Sequence, residues 1–305
     1  MAKGAGRHDE KTPATFAVAG GTVAAAPLAP GLYLVATPIG NLADVTLRAL
    51  ATLAAADVVA CEDTRVTRRL LDHYVIRTTL TPYHEHNAAI ARPKILARLS
   101  AGQAVALVSD AGTPLISDPG YKLVRAAQAA GHRVTVVPGA SSVLAAVLVA
   151  GLPTDRFFFE GFLPAKAAAR RSRIAQIARI PATLVVFESG PRLAAALADL
   201  AAGLGAREAA VCRELTKLYE ETRRADLGAL ADHYASGGEK RGEFVIVIAP
   251  PEEEARELGG DDIDAVLRDA LRTASLKDAV ATLAEATGQP RRNLYQRALA
   301  LKDHD

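Results

Sequence analysis

The residues best suited to chemistry sit in a few short polar stretches. Glu62-Asp63-Thr64-Arg65 and His84-Glu85-His86-Asn87 bring carboxylates and imidazoles, so Asp63, His84, Glu85 and His86 are candidate general bases. Arg65, and Lys217 at the end of Cys212-Arg213-Glu214-Leu215-Thr216-Lys217, are cations suited to hold a phosphate or a developing oxyanion. Asp63 with Arg65 equally suits a structural ion pair or a helix cap. The His84-x-His86 pair has metal-ligand spacing but no third ligand in register, so no metal is expected.

Two further loops look built to hold a small polar ligand. Thr37-Pro38-Ile39-Gly40-Asn41 and Ser109-Asp110-Ala111-Gly112-Thr113-Pro114-Leu115-Ile116-Ser117-Asp118-Pro119-Gly120 are stiffened by proline and rich in backbone polar groups. Neither contains a Gly-Lys-Ser/Thr element, and no Gly-x-Gly-x-x-Gly follows the first strand, which weighs against nucleotide hydrolysis and dinucleotide redox chemistry. Phe187-Glu188-Ser189-Gly190-Pro191-Arg192 offers more charge farther along the chain. Lys166, Arg170, Arg171, Arg173 and Arg179 form a run of bases without an acid, and Arg291, Arg292, Arg297 and Lys302 cluster near Tyr295. Both runs suit phosphate contact, and both also suit a solvated helix face.

The elements that must position these residues alternate. Leu32 to Ala36, Val58 to Cys61, Thr79 to Tyr83, Val105 to Ser109 and Val134 to Val137 read as strands. Between them, Val45 to Ala55, Arg65 to His73, Asn87 to Leu99 and Tyr121 to Ala130 read as helices, the third split by Pro93. Alternation at this spacing implies an α/β domain around a mostly parallel sheet, with the polar turns on one rim. After a helix over Ser142 to Ala150, Gly151 to Thr154 reads as a linker into a second α/β domain that repeats the same logic. Its strands are expected at Phe157 to Phe159, Thr183 to Phe187, Ala209 to Cys212, Thr222 to Leu227 and Phe244 to Ile248. An acidic linker follows Pro250-Pro251 and leads into a small C-terminal helical region. The expected division is a flexible tail over 1–30, α/β domains over 31–153 and 154–250, and the helical region over 251–305.

Composition bounds the rest. At 305 residues the chain is about twice the ~150 expected of one domain, and 50% hydrophobic residues are ample for a core. The net charge of +2 is too balanced to bind nucleic acid by bulk charge, so any such contact needs a local patch. Cys61 and Cys212 lie in apolar runs, as reduced buried thiols would, and no apolar run approaches the ~20 residues of a membrane span. A cytoplasmic soluble protein is expected.

Taken together, Thr37-Pro38-Ile39-Gly40-Asn41, Glu62-Asp63-Thr64-Arg65, His84-Glu85-His86-Asn87, Ser109 to Gly120 and Pro138-Gly139-Ala140-Ser141-Ser142 closely resemble the RNA-modifying branch of the tetrapyrrole methylase superfamily. That branch is the ribosomal RNA small-subunit methyltransferase I family. Gly161-Phe162-Leu163-Pro164, Arg213 to Lys217 and Gly242-Glu243-Phe244-Val245 continue the likeness. The resemblance implies an S-adenosylmethionine-dependent homodimer with the cofactor in the cleft between two α/β domains. It implies 2′-O-methylation of a cytidine in the decoding region of 16S rRNA, within the small ribosomal subunit. Carried over, the cofactor lining would be Thr37, Pro38, Ile39, Gly40, Asp110, Ala111, Gly112, Thr113, Ile116, Ser117, Ser142, Glu188, Ser189 and Leu215. The RNA contacts would be Lys166, Arg170, Arg171, Arg173, Arg291 and Arg292. The family usually has Tyr before the acid at 188 and Pro-His before the base at 192, where this chain has Phe187 and Gly190-Pro191, so no role for that His operates here. A small-molecule tetrapyrrole-type methylase and a non-catalytic ribosome-binding protein are the alternatives.

Overall fold

The computed structural model describes residues 14–117, 120–251, 260–287 and 289–302. The first part of the expected tail, Asp118 and Pro119 of the second loop, and most of the acidic linker lie outside them. The described chain opens with an antiparallel hairpin, β1 (Thr15–Val18) and β2 (Gly21–Ala24). This corrects the expectation of a tail to residue 30. Ala- and Gly-rich composition hid one aromatic anchor, Phe16, which is 3% exposed and packs into the first core.

The first sheet is formed by β3 (Gly31–Val35), β4 (Val58–Cys61), β5 (Leu80–Pro82), β6 (Ala104–Val108) and β7 (Val134–Val137). Its order is β5-β4-β6-β3-β7 and every pairing is parallel. The helices between and after these strands are α1 (Leu47–Ala55), α2 (Thr64–His73), α3 (Ala88–Ser100), α4 (Tyr121–Ala129) and α5 (Ser142–Ala150). Alternate strand residues divide between two cores, as the period of two requires. Tyr33, Val35, Val59 and Ala106 meet Leu50 and Leu53 of α1, Leu70 and Leu71 of α2, and Phe16. Leu32, Val58, Val105 and Leu107 meet Ile95 and Leu99 of α3 and Leu123 of α4. Burial on both faces explains why β6 is apolar throughout.

Pro93 does not split α3, which is continuous through it. The missing N–H leaves one carbonyl, that of Ala89, without its helical donor. Ala89 and Ile90 are exposed, so water can replace the bond, while Ile95 and Leu99 anchor the following turns in the core.

The second sheet contains β8 (Phe157–Phe162), β9 (Thr183–Ser189), β10 (Glu208–Arg213), β11 (Glu221–Asp226) and β12 (Glu243–Ile248). Its helices are α6 (Ala167–Ile177), α7 (Gly190–Leu204) and α8 (Leu227–Ser236). The order is β11-β10-β12-β9-β8, and only β8 and β9 pair in parallel; the other three pairings are antiparallel. The second domain therefore does not repeat the parallel logic of the first. The segment 214–220 joining β10 to β11 holds no helix, and a parallel return needs a crossover of about a dozen residues or more.

One face of this sheet packs on α6, α7 and α8 through Ile174, Leu197, Leu200, Leu230 and Tyr234. The other receives α5, whose Val143, Ala146, Val147 and Ala150 meet Val185, Ala210, Cys212, Val245 and Val247. The helix that ends the first sheet's chain thus covers the second sheet. Both sheets belong to one compact unit through Pro250, and Gly151 to Thr154 separates sheets that share one core, the cluster of Ile39 and α5 on the second sheet. A second unit begins at Pro251, with α9 (Gly260–Leu271), α10 (Leu276–Thr287) and α11 (Arg291–Lys302) around Ile263, Leu267, Val280, Leu283, Leu294 and Ala298. Among the described residues, no helix is long and apolar enough to cross a membrane.

Candidate active site

Because the first sheet is parallel throughout, the carboxyl ends of its strands share one edge, and the turns after them meet there. Backbone pairing locks the two ligand-type loops together: Thr37 N–H donates to Gly112 O at 2.9 Å and Gly112 N–H returns to Thr37 O at 3.1 Å. Thr113 Oγ1 donates to Ala140 O at 3.2 Å, tying in the turn before α5, and Ser141 caps that helix by accepting from Leu144 N–H. From the other sheet, the strand ends at Glu188 and Ser189 and the segment 214–217 approach the same place. The backbone is strained on both sides: Leu115 and Ser117 have φ of 75° and 61°, Glu214 and Thr216 of 49° and 66°. Left-handed geometry at residues other than glycine survives only where the surroundings over-determine it, and it clusters at ligand sites.

These loops enclose two adjoining cavities. The first, about 350 Å³, has walls of Ile39, Ile116, Val143, Phe162, Phe187, Leu215 and Val245, with Asp110, Ser142, Glu188, Ser189 and Glu243 as polar groups. The second, about 520 Å³, is lined by Thr37, Pro38, Gly40, Val66, Arg69, Ser109 and Lys217. Ile39, Asp110, Ala111 and Glu243 line both. Apolar walls with a few convergent polar groups are the usual character of small-molecule sites.

The charges around them are tightly held. Asp63 caps α2, its Oδ1 accepting from Arg65 N–H at 2.8 Å, and the Arg65 guanidinium grips both carboxylate oxygens, the shortest contact being 2.6 Å. That grip lowers its pKa to about 2. The Asp63 N–H donates to Asp110 Oδ1 at 2.9 Å, joining two turns of the rim. Glu62 moves the other way: burial and then the neighbouring Asp110 raise it, against a lowering pull from His84. Glu188 is buried; its Oε1 accepts from Ser189 N–H at 2.7 Å and Ser189 Oγ at 3.2 Å, while Oε2 faces the Arg192 guanidinium at 3.2 Å without a well-formed hydrogen bond. Lys217 Nζ donates to Glu214 Oε1 and Glu243 Oε2, each at 2.9 Å. Burial opposes its charge, yet these two carboxylates prevail and Lys217 titrates above the usual lysine value.

The structure brings Ile39, Asp110, Ala111, Gly112, Thr113, Ile116, Ser117, Ser142, Glu188, Ser189 and Leu215 to the first cavity. Thr37, Pro38 and Gly40, expected beside them, line the second instead, with Lys217. Asp63, Arg65, His84, Glu85 and His86 line neither, although Asp63 bonds through its N–H to Asp110, which lines both. Sequence reasoning missed Phe162, Phe187, Gly242, Glu243 and Val245 on the first wall, Arg69 on the second, and the shifted Glu62. Gly242-Glu243-Phe244-Val245 was visible as a motif, but its meaning depends on an antiparallel strand reaching the cleft.

The basic run of the second domain is largely consumed by structure. Arg170 is buried and held by Asp199 at 2.7 Å, and Arg173 grips Glu160 with two contacts of 2.6 and 2.7 Å. Arg171 stays exposed with Asp199 at 3.6 Å, and Lys166 is exposed. Arg170 and Arg173 are thus each held by an acid that lies outside the basic run, Asp199 and Glu160, while Lys166 and Arg171 keep exposed side chains. Arg291 and Arg292 are exposed at the start of α11. Among the described residues, no group of three His, Cys, Asp or Glu side chains could hold a metal ion.

Comparison with known proteins matches this arrangement. The family model of tetrapyrrole (corrin/porphyrin) methylases matches residues 31–231, and that of the RsmI C-terminal HTH domain matches residues 257–302. Ribosomal RNA small subunit methyltransferase I of Mesorhizobium japonicum is 54% identical over 282 residues, covering 92% of this chain and 95% of that protein. Its namesakes from Erythrobacter litoralis (52%; 91% and 98% covered) and Escherichia coli O157:H7 (45%; 88% and 94%) are also similar. Among solved structures, a cobalt precorrin-4 methyltransferase superposes with a TM-score of 0.54 at 18% identity, covering 72% of this chain and 94% of that one. A uroporphyrin-III C-methyltransferase from Thermus thermophilus gives 0.52 at 22%, with 72% and 94% covered. These structural likenesses speak to the fold alone. Identity above half over nearly the whole length, on a shared fold, decides the family: the chain belongs to the tetrapyrrole methylases and, within them, to the ribosomal RNA small subunit methyltransferase I family.

Proposed function

We propose that this protein transfers a methyl group from S-adenosylmethionine to the ribose 2′-hydroxyl of a cytidine in the decoding region of 16S rRNA. The observation that carries this reading is the pair of cavities sharing Ile39, Asp110, Ala111 and Glu243: one with mostly apolar walls, the other lined by Arg69 and Lys217. A donor site beside an acceptor site that presents Arg69 and Lys217 suits a group transfer to an anionic polymer. The relatives named above support the substrate class, and one Thermus thermophilus uroporphyrin-III C-methyltransferase of the same fold is described as complexed with S-adenosyl homocysteine.

The residues of the first cavity fit this cofactor. Glu188 leaves an oxygen without a hydrogen-bond donor on the wall, and Asp110 adds a second carboxylate, suited to hydroxyl and ammonium groups. Leu215, Val245, Ile116 and Phe187 offer apolar surface for a base. When bound, the cofactor supplies an electrophilic sulfonium methyl. The chain's own task is to align the acceptor oxygen, to take its proton and to exclude water; holding two reactants in line removes much of the entropic barrier. Asp63 is a poor base, since a carboxyl that titrates near 2 has little affinity for a proton at neutral pH. His84, Glu85 and His86 stay candidates, joined by Glu62, whose raised affinity for a proton suits the role better. Lys217 serves as a cation, and Arg69 on α2, which lines the second cavity, offers a further phosphate contact.

We also infer a homodimer, supported by Leu144 and Leu148, one turn apart on α5, which are 52% and 77% exposed. A cytoplasmic location follows from the substrate. The test is transfer of labelled methyl to small subunits lacking their native modifications and to naked 16S rRNA, with the nucleotide identified by mass spectrometry. Label on a decoding-region cytidine ribose is the expected result. Cofactor binding without label on either RNA would overturn the RNA reading and favour a small-molecule acceptor or a non-catalytic role.

A further inference from the structure

Lys217 reaches the wall of the second cavity along an unusual path. Its stem crosses directly over Gly40 of the opposite domain's first loop, where an added Cβ would lie 2.4 Å from Lys217 Cγ and 2.6 Å from Cε. Its partner Glu214 is seated the same way: a Cβ on Gly242 would lie 2.6 Å from Glu214 Cγ and 2.7 Å from Oε1. Each glycine leaves room for one stem of the clasp. The backbone agrees, because Glu214 N–H donates to Glu243 O at 3.0 Å and Glu243 N–H donates to Glu214 Oε1 at 2.9 Å. Glu214 thus receives a backbone and a lysine donor on one oxygen, and its φ of 49° is held against its preference. Glu243, which closes the clasp on the other side, lines both cavities, so the ammonium stands beside their partition.

We propose that Glu214 and Glu243 are positioning residues that hold the Lys217 ammonium beside the partition between the two cavities, where it stabilises the negative charge developing on the attacking ribose oxygen. The inference rests on the function proposed above. Two carboxylates keep the lysine protonated and take two of its three N–H donors, so it does not act as the base; it acts by donating the third in the direction they fix. A preorganised donor aimed at developing charge needs no reorganisation at the moment of reaction, and loss of one such donor typically lowers turnover by about 10²–10³-fold. The geometry also makes the clasp a strut between the two sheets, since its seat, Gly40, belongs to one and its carboxylates to the other.

Two measurements separate the clasp from the reaction. The first is the rate of Lys217 acylation by an N-hydroxysuccinimide ester, followed by peptide mass spectrometry in the full chain. It is expected to be slow in the parent and to rise several-fold in Glu243→Gln, Glu214→Gln and Gly40→Ala. The second is steady-state methyl transfer. Lys217→Met is expected to lower kcat by about 10²-fold, Glu214→Gln and Glu243→Gln by about 10-fold, with KM for RNA changed less than about two-fold and Lys217→Arg restoring part of the loss. Because the carboxylates act through the lysine, Glu214→Gln combined with Lys217→Met should be no worse than Lys217→Met alone. Glu243 is exposed enough that its variant keeps the fold. Unchanged acylation rates would overturn the clasp, and additive double variants or an effect on KM alone would overturn the positioning role. A parent enzyme without transfer to RNA would refute the proposed function while the acylation result still judged the clasp.

Discussion

Replacing Glu188 by Gln is the sharpest probe of how the first cavity is held. Gln preserves the shape and keeps an oxygen to accept from Ser189 N–H and Oγ, so the variant removes the charge facing Arg192 and little else. Arg192 then keeps only the Leu163 carbonyl, to which it donates at 2.6 Å. Stranding one member of a fully buried pair costs about 3–5 kcal/mol, and an exposed pair is worth about 0–1 kcal/mol. Glu188 is fully buried but Arg192 is 32% exposed, which places the expected loss between these limits, near ~2 kcal/mol. For a unit of this size that corresponds to a fall in Tm of roughly 4–8 °C, read by scanning calorimetry. Adding Arg192→Met should recover much of it, because removing both charges leaves neither stranded. The reasoning fails if Glu188→Gln melts within about 1 °C of the parent, or if the two changes simply add.

Other perturbations reach the remaining features. Phe16→Ala should lower stability by about 3–5 kcal/mol in chemical denaturation, since the ring is 3% exposed within the first core; a loss below ~1 kcal/mol would mean that the hairpin does not dock. Asp63→Ala should lower the urea midpoint by removing the cap of α2, and Asp63→Asn should lower it less. Arg65 depresses the folded-state pKa of Asp63, so its stabilising effect is complete above the ordinary carboxylate value of 3.8 and disappears as pH falls through about 2; a urea midpoint that responds to Asp63→Asn only above pH 6 would contradict this. Cys212 lines the first cavity with its thiol pushed up to about 11 by burial, so alkylation by iodoacetamide at pH 8 should be far slower than for an ordinary thiol until the chain is unfolded. Rapid alkylation in the native state would show that the cavity wall opens.

The parallel sheet was legible because its determinants are local. Short apolar runs separated by amphipathic helices leave few alternatives, and a parallel sheet then forces the turns after Val35, Cys61, Pro82 and Val108 onto one edge. The C-terminal helices were legible through the same periodicity. The two first-sheet loops that line the first cavity were legible through their proline and glycine content, whereas Ser142, Glu188, Ser189 and Leu215 came only from the family resemblance. Pro93 misled because a local rule, that proline ends helices, yields where the one carbonyl left without a donor is exposed and Ile95 and Leu99 anchor the turns that follow.

What the tertiary structure decided were relations between distant residues. Residue types alone determined that Arg170 and Arg173 are bases on one helix; only folding showed that Asp199 and Glu160 neutralise them, because ion pairing depends on distance in space. Likewise, Lys217 is a plain cation in the sequence with Glu214 three residues before it, and Gly40, Gly242 and Glu243 are unrelated letters far from both. The antiparallel pairing of β12 with β10 and the crossing of Lys217 over Gly40 make them one device. Local chemistry is written in order along the chain, whereas charge, burial and direction depend on which segments the fold makes neighbours.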